Sequence, residues 1–105
     1  SPGLKMRLAA LHLHTQQLPD INFQETSLFI GTTTTESMLI GVYDSFVFEI
    51  QNVIEKYKSR YPNITVVITG GNMMMMKNKI KNINFFDPYL LMEGLNYIIA
   101  CNEEN

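Results

Sequence analysis

A run of β-branched residues, Ile64-Thr65-Val66-Val67-Ile68-Thr69, constrains the fold of this chain more than any other segment. The run does not alternate polar and apolar residues, which is typical of a strand covered on both faces in a parallel sheet. A second strand is predicted at 82–86, immediately before Asp87-Pro88. Two parallel strands leave two open edges and rarely form an independent sheet. The sequence therefore predicts an incomplete α/β sheet, and we expect further strands to precede Ser1 in a longer protein.

Hydrophobic periodicity predicts helices around these strands. The first helix is expected at 4–17, between Pro2-Gly3 and Pro19, and the longest at 34–60. A short helix is expected from Met73 to Lys81, and the last from Tyr89 to Ile99, followed by a fraying tail. The predicted order is therefore α-α-β-α-β-α, with residues 1–105 forming a single partial domain.

The start of the long helix carries a clear local signal. Thr33 and Glu36 have the spacing of a capping box, in which each residue bonds the backbone of the other. Gly41 is unfavourable inside a helix, which suggests the close approach of another backbone. The helices at 4–17 and 34–60 carry more apolar residues than two strands can cover, so we expect a dimer or larger assembly that packs along Val42, Phe46 and Ile50 or their neighbours.

Composition excludes several classes of protein. The 105 residues carry a net charge of −2, which argues against nucleic-acid binding. No apolar run is long enough to span a bilayer. Cys101 is the one cysteine, so an intramolecular disulfide is impossible, and a reducing, cytoplasmic compartment is expected.

Two segments are candidates for ligand binding. The hydroxyl and N–H groups of Thr32 to Thr35 suit an anion or a polar small molecule, although simple helix capping explains them equally. Gly70-Gly71 follows a buried strand, at the edge where ligands bind in open α/β sheets. A tight turn is the alternative explanation for these glycines.

Other chemistry-bearing residues form no recognisable site. His12 and His14 are two positions apart and lie on different faces of a helix, so they do not form a metal-binding pair. Met73 to Met76 could bind a soft metal, but core packing is the simpler interpretation. The sequence shows no serine, histidine and acid at the spacing of a nucleophilic site.

Five motifs in order resemble the C-terminal half of type III pantothenate kinases. The opening Pro2-Gly3 with Met6-Arg7 and Ala10-Leu11 is similar to the start of that half, as is Leu18-Pro19 after it. The next segment, Gly31 to Met38 with Gly41, resembles a Gly-x-x-Thr-x-x-Ala/Ser-x-x-x-Gly motif. The last matches are Thr69-Gly70-Gly71, Asp87-Pro88-Tyr89-Leu90 and Glu93-Gly94-Leu95.

The resemblance implies a ribonuclease-H-like fold of the actin/sugar-kinase superfamily. It also implies ATP-dependent phosphorylation of pantothenate, the first step of coenzyme A synthesis, by a homodimer. Thr34 corresponds to a threonine that contacts pantothenate, and Gly70 and Gly71 to the turn near the adenosine of ATP. The segment from Arg7 to Leu18 is a candidate for lending residues to the partner's pantothenate pocket.

The family's Asp-x-Gly-Asn phosphate loop and Gly-x-Asp-Arg catalytic motif do not occur in this sequence. The family's divalent and monovalent cations would therefore be bound mainly by residues outside the chain. We expect the chain alone to be inactive. Thr33 replaces the usual Asn or Ser, and Met73 to Met76 replace a more mixed segment. Two alternatives to a pantothenate kinase remain. One is a non-catalytic protein-binding or transcription-accessory module, and the other is another kinase of the superfamily.

Overall fold

The computed structural model describes residues 2–72, 79–87 and 89–104. These residues form three helices and two strands: α1 (Leu4–Leu13), α2 (Thr34–Arg60), β1 (Val67–Ile68), β2 (Phe85–Phe86) and α3 (Leu90–Glu104). The chain divides into two compact units, Ser1–Val53 and Ile54–Asn105. Each unit has its own buried residues and is described separately.

In the first unit, α1 is shorter than its periodicity predicted. The helix begins directly after Pro2-Gly3 as expected, but it ends at Leu13 rather than at residue 17. The His14 N–H donates to the Ala10 carbonyl and closes the last turn. The Thr15 hydroxyl donates to the Leu11 carbonyl, a carbonyl that a longer helix would use for its own backbone bonds. The side chain and the turn therefore end the helix before Pro19.

The apolar faces of α1 and α2 supply the buried residues of the first unit. The spacing of these residues follows the helical period on both helices, which confirms the amphipathic pattern of α2. They are Leu4, Leu8, Met38, Leu39, Val42, Phe46 and Val47. Val42 and Phe46 are thus buried within the chain, so the predicted packing against a second copy would have to use their neighbours on these helices.

The second unit contains the two strands. They pair in parallel, as predicted, with Val67 opposite Phe85 and Ile68 opposite Phe86. Both strands are shorter than expected. Asn82 has a φ of 67°, which excludes it from β2, and the Asn84 side chain rather than its backbone accepts the Val66 N–H, so the regular pairing begins only after these residues. Ile68 is buried but Val67 is 39% exposed, so the described residues cover one face of β1 rather than both.

The predicted helix between the strands falls largely on 73–78, outside the described residues, and Lys79 to Lys81 are not helical. The last helix extends further than predicted, to Glu104. No proline or glycine follows Gly94, and alanine and glutamate favour helix, so the expected fraying tail remains helical. Its large apolar side chains are exposed among the described residues, including Leu91 and Tyr97.

Candidate functional site

The four threonines divide into two structural roles. Thr32 and Thr33 precede α2, whereas Thr34 and Thr35 form its first two positions. The Glu36 N–H donates to the Thr33 hydroxyl over 3.1 Å, and the Thr33 N–H donates to the Glu36 carboxylate over 3.1 Å. This reciprocal pair is the capping box that the sequence predicted. The capping residue is therefore Thr33, and Thr34 is not needed for that purpose.

The Glu36 carboxylate binds more than a capping box requires. Its Oε2 atom also accepts the Thr32 N–H over 2.7 Å and the Thr32 hydroxyl over 2.8 Å. The bonds from Thr32 lower the pKa of Glu36 below its usual value, because they stabilise the ionised carboxylate. The loop before α2 is therefore tied to its first turn by one charged oxygen atom.

Gly31 lies in very close contact with the start of α2. A Cβ atom added at this position would lie 2.5 Å from the Ser37 nitrogen and 2.8 Å from the Glu36 carbonyl carbon. Backbone atoms cannot move aside as a flexible side chain can, so only glycine fits here. This contact gives a physical reason for a glycine three residues before Thr34.

Thr34 is exposed at the first turn of α2. Among the residues that the structure describes, none forms a hydrogen bond with its hydroxyl group. Thr33, directly before it, and Glu36, two positions after it, are held by the hydrogen bonds that they form with each other. The Thr34 backbone thus lies between bonded residues, and its side chain is exposed.

Gly70 and Gly71 lie in the second unit, just after β1. Gly70 has a φ of +112°, a conformation that side chains rarely adopt, so the turn itself explains this glycine. A Cβ added at Gly71 would meet no atom within 4 Å. The described residues therefore leave space for a ligand beside Gly71, and the turn and ligand-binding explanations are compatible.

The first unit contains an apolar cavity of about 570 Å³ lined by residues of α1, α2 and the segment after α1. This volume is within the range of about 300–1,000 Å³ that is typical of small-molecule sites. Gly41 lines the cavity, and a Cβ added there would meet no atom within 4 Å, so the predicted close backbone approach is absent among the described residues. The lining residues that carry polar groups are Arg7, His14, Thr15, Ser37 and Ser45.

Arg7 is held firmly at the edge of this cavity. Its Nε atom donates to the Pro2 carbonyl over 2.8 Å, and its Nη2 atom pairs with Glu49 over 2.8 Å. The guanidinium carbon lies 5.2 Å from the centre of the Phe46 ring. These contacts connect α1 to α2 within the first unit, so Arg7 has a structural role beside the cavity.

The remaining candidates have structural roles. The His12 ring donates through Nδ1 to the Leu18 carbonyl over 2.8 Å, since a carbonyl can only accept. Asp87 accepts the Tyr89 N–H over 2.9 Å, as a turn residue does, and the interaction of its side chain with Glu93 raises the pKa of that carboxyl. Within 2–72, 79–87 and 89–104, no three His, Cys, Asp or Glu residues are arranged to hold a metal ion. None of the helices described is both long and apolar enough to cross a membrane.

Comparison with known proteins decides the family. A model of the type III pantothenate kinase family matches residues 1–56, which include α1, the threonine segment and most of α2. The chain belongs to the type III pantothenate kinase family.

Relatives named type III pantothenate kinase align with almost the whole chain. The protein of Christiangramia forsetii is 34% identical over 98% of the chain, and that of Flavobacterium johnsoniae is 33% identical over 100%. A Bacteroides fragilis relative is 36% identical over 97% of the chain. The chain spans about two fifths of the length of these curated type III pantothenate kinases, which is 42–43% of each.

Sequence reasoning identified Thr33 and Glu36 as a local pair but missed the role of Thr32 and Gly31. The capping-box spacing gave no sign that Thr32 would donate two bonds to Glu36. A signal existed for Gly31, because a glycine just before a threonine-rich helix start is consistent with close backbone contact. In the type III pantothenate kinase chain these residues surround Thr34, the candidate pantothenate-binding residue.

Proposed function

We propose that this chain is the C-terminal, substrate-binding and dimerisation part of an ATP-dependent pantothenate kinase. The reaction is transfer of the terminal phosphoryl group of ATP to pantothenate, giving 4′-phosphopantothenate, in the cytoplasm. The observation that carries the proposal is family membership, with relatives of the same name along the whole chain. The parallel strands and flanking helices agree with a ribonuclease-H-like fold, which forms part of the proposal.

Within this function, Thr34 contacts pantothenate and the Gly70-Gly71 turn lies near the adenosine of ATP. Among the described residues the exposed Thr34 hydroxyl has no hydrogen-bond partner, which supports the first assignment. The second is supported by Gly71, where an added Cβ would meet no atom of the described residues within 4 Å, so a ligand can approach the backbone from that side. The two assignments concern different units of the chain, so each needs its own test.

Phosphoryl transfer requires a metal ion, a phosphate-binding loop and a group that orients the nucleophile. The Asp-x-Gly-Asn and Gly-x-Asp-Arg motifs that supply these parts in the family do not occur in this sequence. We therefore propose that the rest of the kinase supplies them and binds most of the divalent and monovalent cations. The chain alone is expected to be inactive. Assaying pantothenate phosphorylation by the chain and by the intact kinase under the same conditions tests this expectation.

Substitution of Thr34 by valine tests the substrate assignment in the intact kinase. Valine keeps the shape of the side chain and removes the hydroxyl, so a neutral hydrogen bond of about 0.5–1.5 kcal/mol is lost, and somewhat more if a buried partner stays unpaired. The KM for pantothenate should therefore rise about 3- to 30-fold, while the KM for ATP stays unchanged. Pantothenate-dependent release of ADP measures both constants.

Thr35→Val is the matched control for this experiment. Thr35 is the next residue on α2, is equally exposed, and is not part of the capping box. Its substitution should leave both Michaelis constants unchanged. A normal KM for pantothenate in the Thr34→Val enzyme would show that the substrate assignment is wrong.

The proposed homodimer uses residues of α1 and α2 that the first unit leaves exposed. Met6 and Leu13 on α1 are 65% and 73% exposed, whereas Val42 and Phe46 are buried within the chain. Light scattering on the intact kinase at about 100 µM, well above a micromolar dissociation constant, should give the mass of a dimer. A monomer mass under these conditions would contradict this part of the proposal.

A further inference from the structure

We infer that Glu36 is a positioning residue for pantothenate, acting by holding the backbone on both sides of Thr34. The inference rests on the proposed role of Thr34 and adds a residue that is not expected to touch the substrate. Glu36 lies two positions after Thr34, and its carboxylate reaches back to Thr32 and Thr33 on the other side. The hydrogen bonds between Glu36 and Thr32 and Thr33 therefore span the Thr34 position in the chain.

The number and direction of these bonds distinguish positioning from simple capping. In a capping box the carboxylate accepts one hydrogen bond from the N–H of the capping residue. Here the Thr33 N–H donates that bond to Glu36. The two further bonds, from the N–H and hydroxyl of Thr32, add nothing to the α2 helix itself. They fix the loop before the helix, and this loop leads directly to Thr34.

Close backbone packing supports the same role. Gly31 approaches the Glu36 and Ser37 backbone so closely that no Cβ would fit. The segment 31–36 is thus fixed at both ends, by a backbone contact at Gly31 and by the Glu36 carboxylate. A substrate-binding hydroxyl held by such supporting bonds needs little reorganisation when the ligand arrives.

The test compares four variants of the intact kinase. In Glu36→Ala, the loop loses its three bonds, and the KM for pantothenate should rise about 3- to 10-fold with the KM for ATP unchanged. In Glu36→Gln, the amide oxygen can accept the same bonds, so most of the affinity for pantothenate should return. Thr34→Val provides the reference for complete loss of the contact.

Val47→Ala controls for general loss of stability. Val47 is buried on α2 but takes no part in the threonine segment, so this variant should melt at a lower temperature with unchanged Michaelis constants. A merely structural Glu36 would behave like Val47, with a lower melting temperature and a normal KM for pantothenate.

The outcomes separate this inference from the proposed function. If Thr34→Val raises the KM for pantothenate and Glu36→Ala does not, Glu36 has no positioning role although the substrate site is correct. If Thr34→Val itself has a normal KM, the proposed substrate site is wrong, and the inference is overturned with it. A Glu36→Gln enzyme as impaired as Glu36→Ala would also contradict positioning through these accepted bonds.

Discussion

Phe46→Ala is expected to lower the free energy of unfolding of this chain by about 3–5 kcal/mol, the usual cost of removing a buried phenylalanine ring. The Phe46 side chain is only 4% exposed, and it lies among the apolar residues shared by α1 and α2. Its ring also lies under the Arg7 guanidinium, so the substitution removes a favourable cation–ring contact together with the buried area. Urea denaturation of the wild-type and variant chains measures the difference.

Phe48→Ala is a matched control on the same helix. Phe48 is 61% exposed within the chain, so its loss should change the free energy of unfolding of the monomer by no more than about 0.5 kcal/mol. Phe46→Leu keeps apolar volume but removes the ring, and it should fall between the two alanine variants. Equal losses from Phe46→Ala and Phe48→Ala would contradict the assignment of Phe46 to the core.

Gly31→Ala is expected to have the second largest effect, because the added methyl group overlaps backbone atoms of Glu36 and Ser37 as well as the Ser37 hydroxyl. With the Ser37 nitrogen 2.5 Å away, the loop must move off the first turn of α2. Such overpacking costs about 1–3 kcal/mol of stability. The movement should also break the bonds from Thr32 to Glu36, and the KM of the intact kinase for pantothenate should rise.

Gly41→Ala is the same chemical change at a position of opposite character. An added Cβ at Gly41 meets no atom within 4 Å, and alanine favours a helix over glycine by about 1 kcal/mol. This variant should be as stable as the wild type or more so, as measured by thermal unfolding. If Gly31→Ala is as stable as Gly41→Ala, the close contact at Gly31 does not exist in solution.

The start of α2 could be predicted from the sequence because its determinants are local. Thr33 and Glu36 are three residues apart, and their bonds form within one turn of chain wherever the rest of the protein lies. The end of the helix at Arg60, before Tyr61-Pro62, follows from the same kind of local rule. Thr34 and Gly70-Gly71 came from family motifs, and their roles stay predictions.

Burial and partner choice could not be predicted in the same way. The periodicity of α2 identified its apolar positions, but it did not indicate that Val42 and Phe46 would be covered by the chain itself. Arg7 pairs with Glu49, 42 residues away, and no local pattern relates the two. Similarly, the length of β1 depends on which residues lie opposite it, and only Phe85 and Phe86 do so among the described residues.

The sequence by itself determined the family, the capped start and the end of α2, and the parallel direction of the two strands. The family follows from motifs in a fixed order and the limits of α2 from interactions between near neighbours, whereas the parallel direction follows from a β-branched run without polar–apolar alternation. The tertiary structure alone decided that the chain itself covers Val42 and Phe46, and that Arg7 pairs with Glu49, 42 residues away. These contacts depend on where a loop or side chain comes to lie in space, which spacing along the chain does not specify.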